Sequence, residues 1–153
     1  MPSPTAMDLD SFFPYRLAVA SEAFSRDLAE VYATEFGLSR EEWRLLFLLG
    51  RAGSLDSVEL ARRTTLDKVQ VSRASQRLAA KGLITSRVPD RDRRLREYAC
   101  TETGRQCYEQ LLPRVGARAE AMLSALSPRD RAALERGITA LLEAAQCSAA
   151  RTR

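Results

Sequence analysis

The chain has 153 residues, of which 45% are hydrophobic and 29% charged, as expected for one globular domain or for two small lobes that share a core. Its longest apolar run, residues 45–49, is too short to cross a bilayer, and its acidic first ten residues lack the basic and apolar regions of a signal peptide, so we expect a cytoplasmic protein with no membrane partner. The net charge is +4, histidine is absent, and no glycine loop of the phosphate- or dinucleotide-binding type occurs, which argues against an enzyme.

The first part of the chain is predicted to be a disordered tail over residues 1–10 followed by two helices. Apolar residues recur at steps of three and four over residues 11–36, which predicts one long amphipathic helix that ends at Gly37, where a left-handed cap costs little. Ser39 and Glu42 have the spacing of a capping box, and they open a second helix that is predicted to end within residues 51–54.

Two shorter helices are predicted next. Asp56 caps the first, over residues 57–63, and Thr64 or Thr65 caps the second, which runs to Lys81. One face of the second helix is apolar, and its other side carries basic and polar side chains with almost no acid. Such a side is typical of a helix that faces nucleic acid, although a solvated basic face is the alternative. The apolar face consists of Val71, Ala74, Ser75 and Leu78.

Residues 83–88 and 95–100 are β-prone and are predicted to pair as a hairpin with a charged connection of six residues. We expect Asp92 to shape this connection through a bidentate ion pair with Arg94 or with an arginine of a neighbouring element. Arg91 and Arg93 are then left to bind phosphate or the minor groove, with a floppy charged tip as the alternative.

Two further helices complete the predicted layout. The first begins after Thr101 and is expected to bend at Pro113 and Gly116. The second begins at Pro128, with Ser127 as its cap.

The three cysteines lack the spacing of a zinc site. We interpret them as small, partly buried hydrophobic residues, with a redox sensor as the alternative, and we expect no metal and no cofactor. They are Cys100, Cys107 and Cys147.

Positive charge is concentrated in one segment of the chain. The window from residue 60 to residue 100 contains eleven Lys or Arg and four Asp or Glu, which gives +7, whereas the rest of the chain carries −3 of the total of +4. A local excess of this kind is the footprint of a surface that holds a polyanion, because each neutralised phosphate releases counterions.

Five short motifs follow one another along the chain: ELARRT at 59–64, VQVSR at 69–73, LAAKGLI at 78–84, DRDRR at 90–94 and CTETG at 100–104. In this order and spacing they resemble the MarR/SlyA family of winged-helix transcriptional regulators, over nearly the whole chain. The resemblance implies a mainly α fold with a small β-hairpin wing: a winged helix-turn-helix lobe over residues 38–101, plus a helical dimerisation region formed by the N- and C-terminal helices, residues 11–37 and 102–147. It also implies a homodimer, and the helices carry more apolar faces than one small lobe can cover, which agrees with this.

The resemblance also implies a sequence-specific regulator of double-stranded DNA, most often a repressor, that binds an inverted-repeat operator. Two copies of the basic helix would enter successive major grooves about 34 Å apart. Arginine pairs well with guanine and glutamine with adenine, so the polar side chains of this helix are the candidates for base contacts. By position, Gln70, Ser72, Arg73 and Gln76 contact bases, Arg62, Lys68 and Arg77 hold phosphates, and Arg91, Arg93 and Arg94 belong to the wing that Asp92 shapes.

Members of this family typically release DNA when a small molecule, often a phenolic or aromatic acid, binds to them. Residues 12–16 resemble a subset that responds to aromatic acids or to their CoA thioesters, and both effector classes stay open. Trp43 lies on an apolar face and is better explained as core, and Arg16 and Arg44 are equally well explained as ion-pair partners of helix acids. A winged-helix module that binds protein instead of DNA is the other alternative. The candidate ligand-binding residues are Tyr15, Arg16, Trp43 and Arg44.

Overall fold

The computed structural model describes residues 8–151, and side chains up to residue 149. Residues 1–7 of the predicted tail lie outside this range. The chain folds as two compact units that divide after Gly116, within one continuous helix. The elements are α1 Phe13–Phe36, α2 Arg40–Ala52, β1 Ser54–Asp56, α3 Ser57–Thr64, α4 Lys68–Ala80, β2 Ile84–Arg87, β3 Glu97–Cys100, α5 Glu102–Leu123 and α6 Pro128–Arg151.

The junction between α1 and α2 forms as the sequence predicts. Gly37 ends α1 in the left-handed conformation, with φ of 62°, and its N–H donates to the carbonyl of Ala33. Ser39 then caps α2, since its Oγ accepts from the N–H of Glu42 at 3.2 Å and a Glu42 carboxylate oxygen accepts from the N–H of Ser39 at 2.7 Å. Local hydrogen bonds therefore fix the end of α1 and the start of α2, and the residues that form them can be recognised in the sequence.

The cap predicted for α4 is wrong. Thr64 is the last residue of α3, where its hydroxyl donates to the carbonyl of Leu60 at 2.6 Å, and Thr65 follows with a φ of 61°. The cap is Asp67, whose carboxylate accepts from the N–H of Gln70 at 2.7 Å while the Gln70 side-chain oxygen accepts from the N–H of Asp67 at 3.0 Å. A carboxylate is a strong N-cap, and here it forms a full capping box that neither threonine could complete.

The sheet has three antiparallel strands in the order β1-β3-β2, so it contains one strand more than the predicted hairpin. β1 pairs Leu55 with Tyr98, and β2 pairs Ile84 with Cys100. A strand of three residues is too short for alternation to reveal it, which is why the sequence shows β1 only as a break after α2. The two wing strands cover only residues 84–87 and 97–100, so each is shorter than predicted.

The start of α5 packs directly on the turn that precedes β2. Thr101 donates to the carbonyls of Leu83 and Gly82, and its Oγ1 accepts from the N–H of Gly104 at 3.0 Å. A Cβ at position 104 would lie 1.9 Å from the carbonyl oxygen of Leu83, so only glycine fits there. α5 then continues through Pro113 without ending.

The first unit has a hydrophobic core formed by the C-terminal part of α1, by α2, α3, α4 and the sheet, and by part of α5. Leu45, Leu46 and Leu49 of α2 are fully buried, as are Leu60 of α3 and Leu78 of α4. This core holds the inner face of α4, which the sequence predicted from Val71, Ala74, Ser75 and Leu78, all of which are buried.

The second unit, residues 117–151, consists of the end of α5 and of α6. Arg131 donates to both carboxylate oxygens of Glu120, at 2.5 and 2.9 Å, and Ser127 caps α6 as predicted by accepting from the N–H of Asp130. No helix within residues 8–151 is both long and apolar enough to cross a membrane. Large apolar side chains along this unit are exposed, namely Leu126, Leu134, Ile138, Leu141 and Leu142.

Candidate nucleic-acid interface

The side of α4 that points away from the core is polar and exposed. At 100° per residue, Val69, Ser72, Arg73 and Gln76 lie opposite the buried face, and all four are exposed. We call these four residues the outer face of α4. Their three polar side chains make no hydrogen bond or ion pair with any residue of the described range, so their donors and acceptors stay available to a partner.

Val69 is a member of the outer face that the sequence reasoning missed. Its side chain is 57% exposed in the first turn of the helix, between residues that were assigned to base contacts. The helical period alone would have placed it there, since it precedes Arg73 by four residues and Ser72 by three.

The first turn of α4 adds an unpaired lysine and a glutamine whose side-chain amide is hydrogen-bonded only through its oxygen. Lys68 has no ion-pair partner within residues 8–151. Gln70 uses its side-chain oxygen in the capping box with Asp67, which leaves its amide nitrogen without a partner among the described residues. Of the predicted base-contacting residues, Gln70 is therefore the one whose side chain the fold already holds in place.

Arg62 is held by an acid of its own helix. Its Nε and Nη2 donate to the carboxylate of Glu59 at 2.9 and 2.7 Å, and Arg63 donates to the same carboxylate at 2.5 Å. The hydrogen bonds from Arg62 and then from Arg63 keep the pKa of Glu59 at about 2. The spacing of three and four residues is the sequence signal for these pairs.

Arg77 and Lys81 of the α4 region share one buried carboxylate. Glu42 of α2 is 1% exposed, and it accepts from Arg77 Nε at 3.1 Å and from Lys81 Nζ at 2.9 Å. Burial raises its pKa, but the N–H of Ser39 and the charges of Lys81 and Arg77 outweigh this and leave the pKa below the ordinary value. Glu42 is therefore an anion inside the fold, which the sequence reasoning recognised only as a capping residue.

The connection between β2 and β3 carries the remaining predicted cations. Asp92 accepts a hydrogen bond from the backbone N–H of Arg94 at 2.9 Å, so it shapes the loop through an Asx-type turn and not through the predicted bidentate pair. A carboxylate on a short side chain reaches the amide two residues on more readily than a distant guanidinium. The guanidinium groups of Arg93 and Arg94 have no partner among the described residues, whereas Arg91 lies 3.9 Å from Asp56.

The four predicted ligand-binding residues do not meet within one chain. Trp43 is buried and stacks on Tyr32 near the end of α1, with ring centroids 5.8 Å apart. Tyr15 lies 17 residues earlier in the same helix, which is about 25 Å at 1.5 Å per residue. Tyr15 and Arg16 are exposed, and Arg44 is half-buried without a hydrogen bond or ion pair in the described part of the chain.

Trp43 instead belongs to a row of aromatic rings that joins three helices of the first unit. Tyr32 of α1 stacks on Trp43, Trp43 meets Phe47 at 5.7 Å, and Phe47 meets Tyr108 of α5 edge-on at 6.2 Å. Burial raises the pKa of the Tyr32 hydroxyl. The reading of Trp43 as core therefore describes its place in the single chain, and we call these four residues the aromatic row.

Two of the three cysteines, Cys100 and Cys107, lack the surroundings of reactive thiols. Burial raises the pKa values of Cys100 and Cys107, which disfavours the thiolate that oxidation requires. Cys147 is exposed. Within residues 8–151 no group of three or more His, Cys, Asp or Glu side chains is placed to bind a metal ion.

Comparisons with known proteins find similarity to one family of regulators. Residues 36–95 match the model of the MarR family, and a search of curated protein sequences found no match. A MarR family regulator from Silicibacter pomeroyi is 27% identical, with a TM-score of 0.77 over 90% of this chain and 98% of that one. A second regulator of the family from the same organism is 25% identical, with a TM-score of 0.70 over 92% and 94%.

A third solved structure is similar in fold. It is BpsR from Bordetella bronchiseptica, whose DNA binding is regulated by 6-hydroxynicotinic acid; it is 19% identical, with a TM-score of 0.75 over 92% of this chain and 97% of that one. Together with the three-stranded sheet and the six helices, these likenesses confirm the predicted mainly α, winged-helix fold.

Proposed function

We propose that the chain is a regulator of the MarR family, whose model matches residues 36–95 and whose solved members from Silicibacter pomeroyi are 25% and 27% identical to it. In this role it binds a specific double-stranded DNA operator and is released from it by a small ligand. The observation that carries this proposal is the outer face of α4, whose polar groups are all unpaired. Family membership also supports the expectation that the chain is not an enzyme, because the family consists of transcriptional regulators.

The outer face of α4 fits the chemistry of the major groove. Arg73 is long, exposed and unpaired, which suits a bidentate contact with guanine O6 and N7. Gln76, and the free amide nitrogen of Gln70, suit adenine or a nearby acceptor, and Ser72 accepts or donates to either. Val69 offers an apolar contact for a thymine methyl group.

The cations assigned to phosphate binding are of two kinds: those without an internal ion-pair partner and those that face an acid of the same chain. Lys68, Arg93 and Arg94 have no internal anion to leave, so we assign them the main share of phosphate and minor-groove binding. Arg62, Arg77 and Arg91 already face Glu59, Glu42 and Asp56, respectively, and contribute less charge to the surface.

A homodimer would bring two such lobes to one operator. The exposed apolar side chains of α1 include Phe13, Leu17 and Phe24, and those of α6 include Leu134 and Ile138. Each helix by itself therefore exposes apolar surface to water, which is unfavourable. Covering these surfaces with a second copy would set two α4 helices against successive major grooves of an inverted repeat, about 34 Å apart. We place this dimer in the cytoplasm and, as is most common in the family, in the role of a repressor.

An aromatic or phenolic acid is the effector class that we propose. The aromatic row supplies flat apolar surface, the half-buried Arg44 beside Trp43 supplies a cation for a carboxylate, and the ligand of BpsR is a hydroxylated aromatic acid. Tyr15 and Arg16 would reach such a ligand only from the partner chain. An aromatic acyl-CoA thioester is the alternative, and either ligand must prefer the DNA-incompetent dimer.

Selection of bound sequences from a random duplex pool tests this proposal. We expect enrichment of an inverted repeat whose half-sites lie one helical turn apart, and a protein–DNA complex that contains two chains. If no sequence is enriched although the folded protein is present, the chain does not read DNA, and the alternative of a winged-helix module that binds protein takes its place.

A further inference from the structure

One buried carboxylate joins the C-terminal end of α4 to α2. Glu42 contacts Arg77 and Lys81, which lie 35 and 39 residues further along the chain. Lys81 Nζ also donates to the carbonyl of Gly37 at 2.7 Å. The end of α4 is thus held both to α2 and to the turn that precedes α2.

The contact uses only one side of the Arg77 guanidinium. Its Nε donates to Glu42, while Nη1 and Nη2 make no hydrogen bond within the described residues, and the side chain is 48% exposed. A guanidinium donates in a fixed planar fork, so holding Nε fixes the direction in which the two terminal nitrogens point.

Charge balance leaves the cluster able to bind an anion. Glu42 contributes one negative charge, and Arg77 and Lys81 contribute two positive charges, so the group keeps a net charge of +1 at the surface. A buried ion pair is weak evidence for stability, since the loss of hydration offsets much of the attraction. A role in orienting a side chain explains the buried carboxylate better than a contribution to folding does.

We propose that Glu42 is a positioning residue for DNA binding: it holds Arg77 by Nε so that Nη1 and Nη2 are already aimed at one backbone phosphate. This inference rests on the proposed function and adds to it a residue that touches no DNA. Because the long side chain is ordered before the complex forms, the entropy of ordering it is not lost on binding.

The substitution Glu42→Gln tests the proposal because its two possible effects have opposite signs. Glutamine keeps the shape and the capping hydrogen bonds but loses the charge that holds Arg77. If Glu42 acts only as a negative charge near DNA, removing it tightens binding. If it positions Arg77, binding to a random duplex weakens about two- to tenfold for each chain of the proposed dimer, the cost of ordering one flexible side chain per chain.

The double variant shows whether the effect passes through Arg77. In an Arg77→Ala background, Glu42→Gln is expected to cause no further loss of affinity, since there is no guanidinium left to hold. Fluorescence anisotropy with a labelled random duplex is sufficient, because a phosphate contact does not depend on sequence. Glu22→Gln is the matched control: it also removes a carboxylate bound to an arginine of α2, Arg40, and should leave DNA affinity unchanged.

A second variant keeps the proposal falsifiable if Glu42→Gln folds poorly. Arg77→Lys keeps the positive charge, but one ammonium cannot donate to Glu42 and to a phosphate in a fixed planar fork, so it should lose part of the affinity that Arg77→Ala loses. Tightened or unchanged binding by folded Glu42→Gln, an equal loss in both backgrounds, or full affinity of Arg77→Lys would each overturn the inference. If the wild-type protein binds no duplex at low salt, it is the proposed function that fails.

Discussion

The two arginines at the tip of the wing should control how strongly DNA binding depends on salt. Arg93 and Arg94 have no internal anion, so each is free to release one counterion from DNA. In the proposed homodimer, replacing both with alanine removes four arginines, which is expected to lower the slope of log K against log salt by about 3.6, at about 0.9 per lost contact. Between 50 and 200 mM salt, wild-type affinity would then fall by about 150-fold more than that of the variant.

The matched comparison is Arg62→Ala, which removes the same charge from a guanidinium that Glu59 already holds by two hydrogen bonds. Its slope should change by much less than that caused by either wing arginine alone. Both variants are measured by anisotropy on one random duplex over a salt series, with thermal unfolding as a check on folding. If Arg62→Ala changes the slope as much as a wing arginine does, the division into free and paired cations is wrong.

Three further predictions follow from the outer face of α4 and from the start of α5. Arg73→Ala should weaken the free energy of binding to the selected operator by about 1–3 kcal/mol, with the effect concentrated at one base pair, whereas Lys68→Ala should weaken binding to all duplexes alike. If Arg73→Ala loses equal affinity for the operator and for random DNA, Arg73 does not read a base. Replacing single operator thymines with deoxyuridine removes one methyl group at a time, and this should weaken binding about fourfold at one position. The variant Val69→Ala should no longer be sensitive to that replacement. If the sensitivity is unchanged in the variant, Val69 does not contact the methyl group. Gly104→Ala should destabilise the fold by about 1–3 kcal/mol in urea titrations, because the new Cβ meets the Leu83 carbonyl; unchanged stability would mean that the turn yields freely.

The sequence predicts most of the lobe because the deciding signals are local. The capping box at Ser39, the glycine after α1 and the apolar stripe on α4 each involve residues at most a few positions apart. The cap of α4 shows where local signals compete: two threonines and Asp67 are all acceptable caps by type. The hydrogen bond from Thr64 into the last turn of α3 decides the outcome.

The interface is less predictable from the sequence, because its electrostatics depend on distant residues. The Glu59–Arg62 pair is visible from its spacing, but nothing in the sequence joins Glu42 to Arg77, 35 residues away. Type and position alone therefore rank Arg62, Arg77 and Arg93 as equals, and only the fold separates the free cation from the paired ones. Similarly, the candidate ligand residues share chemistry, while the length of α1 keeps Tyr15 away from Trp43.

The most direct test of the central claim is fluorescence anisotropy of the purified protein on labelled DNA from the region upstream of its own gene. The same salt series is run with a random duplex of equal length. We expect tighter binding to the upstream DNA, with an affinity that falls steeply as salt rises, because free cations of α4 and the wing neutralise phosphates. Absence of binding to both duplexes at low salt would contradict it.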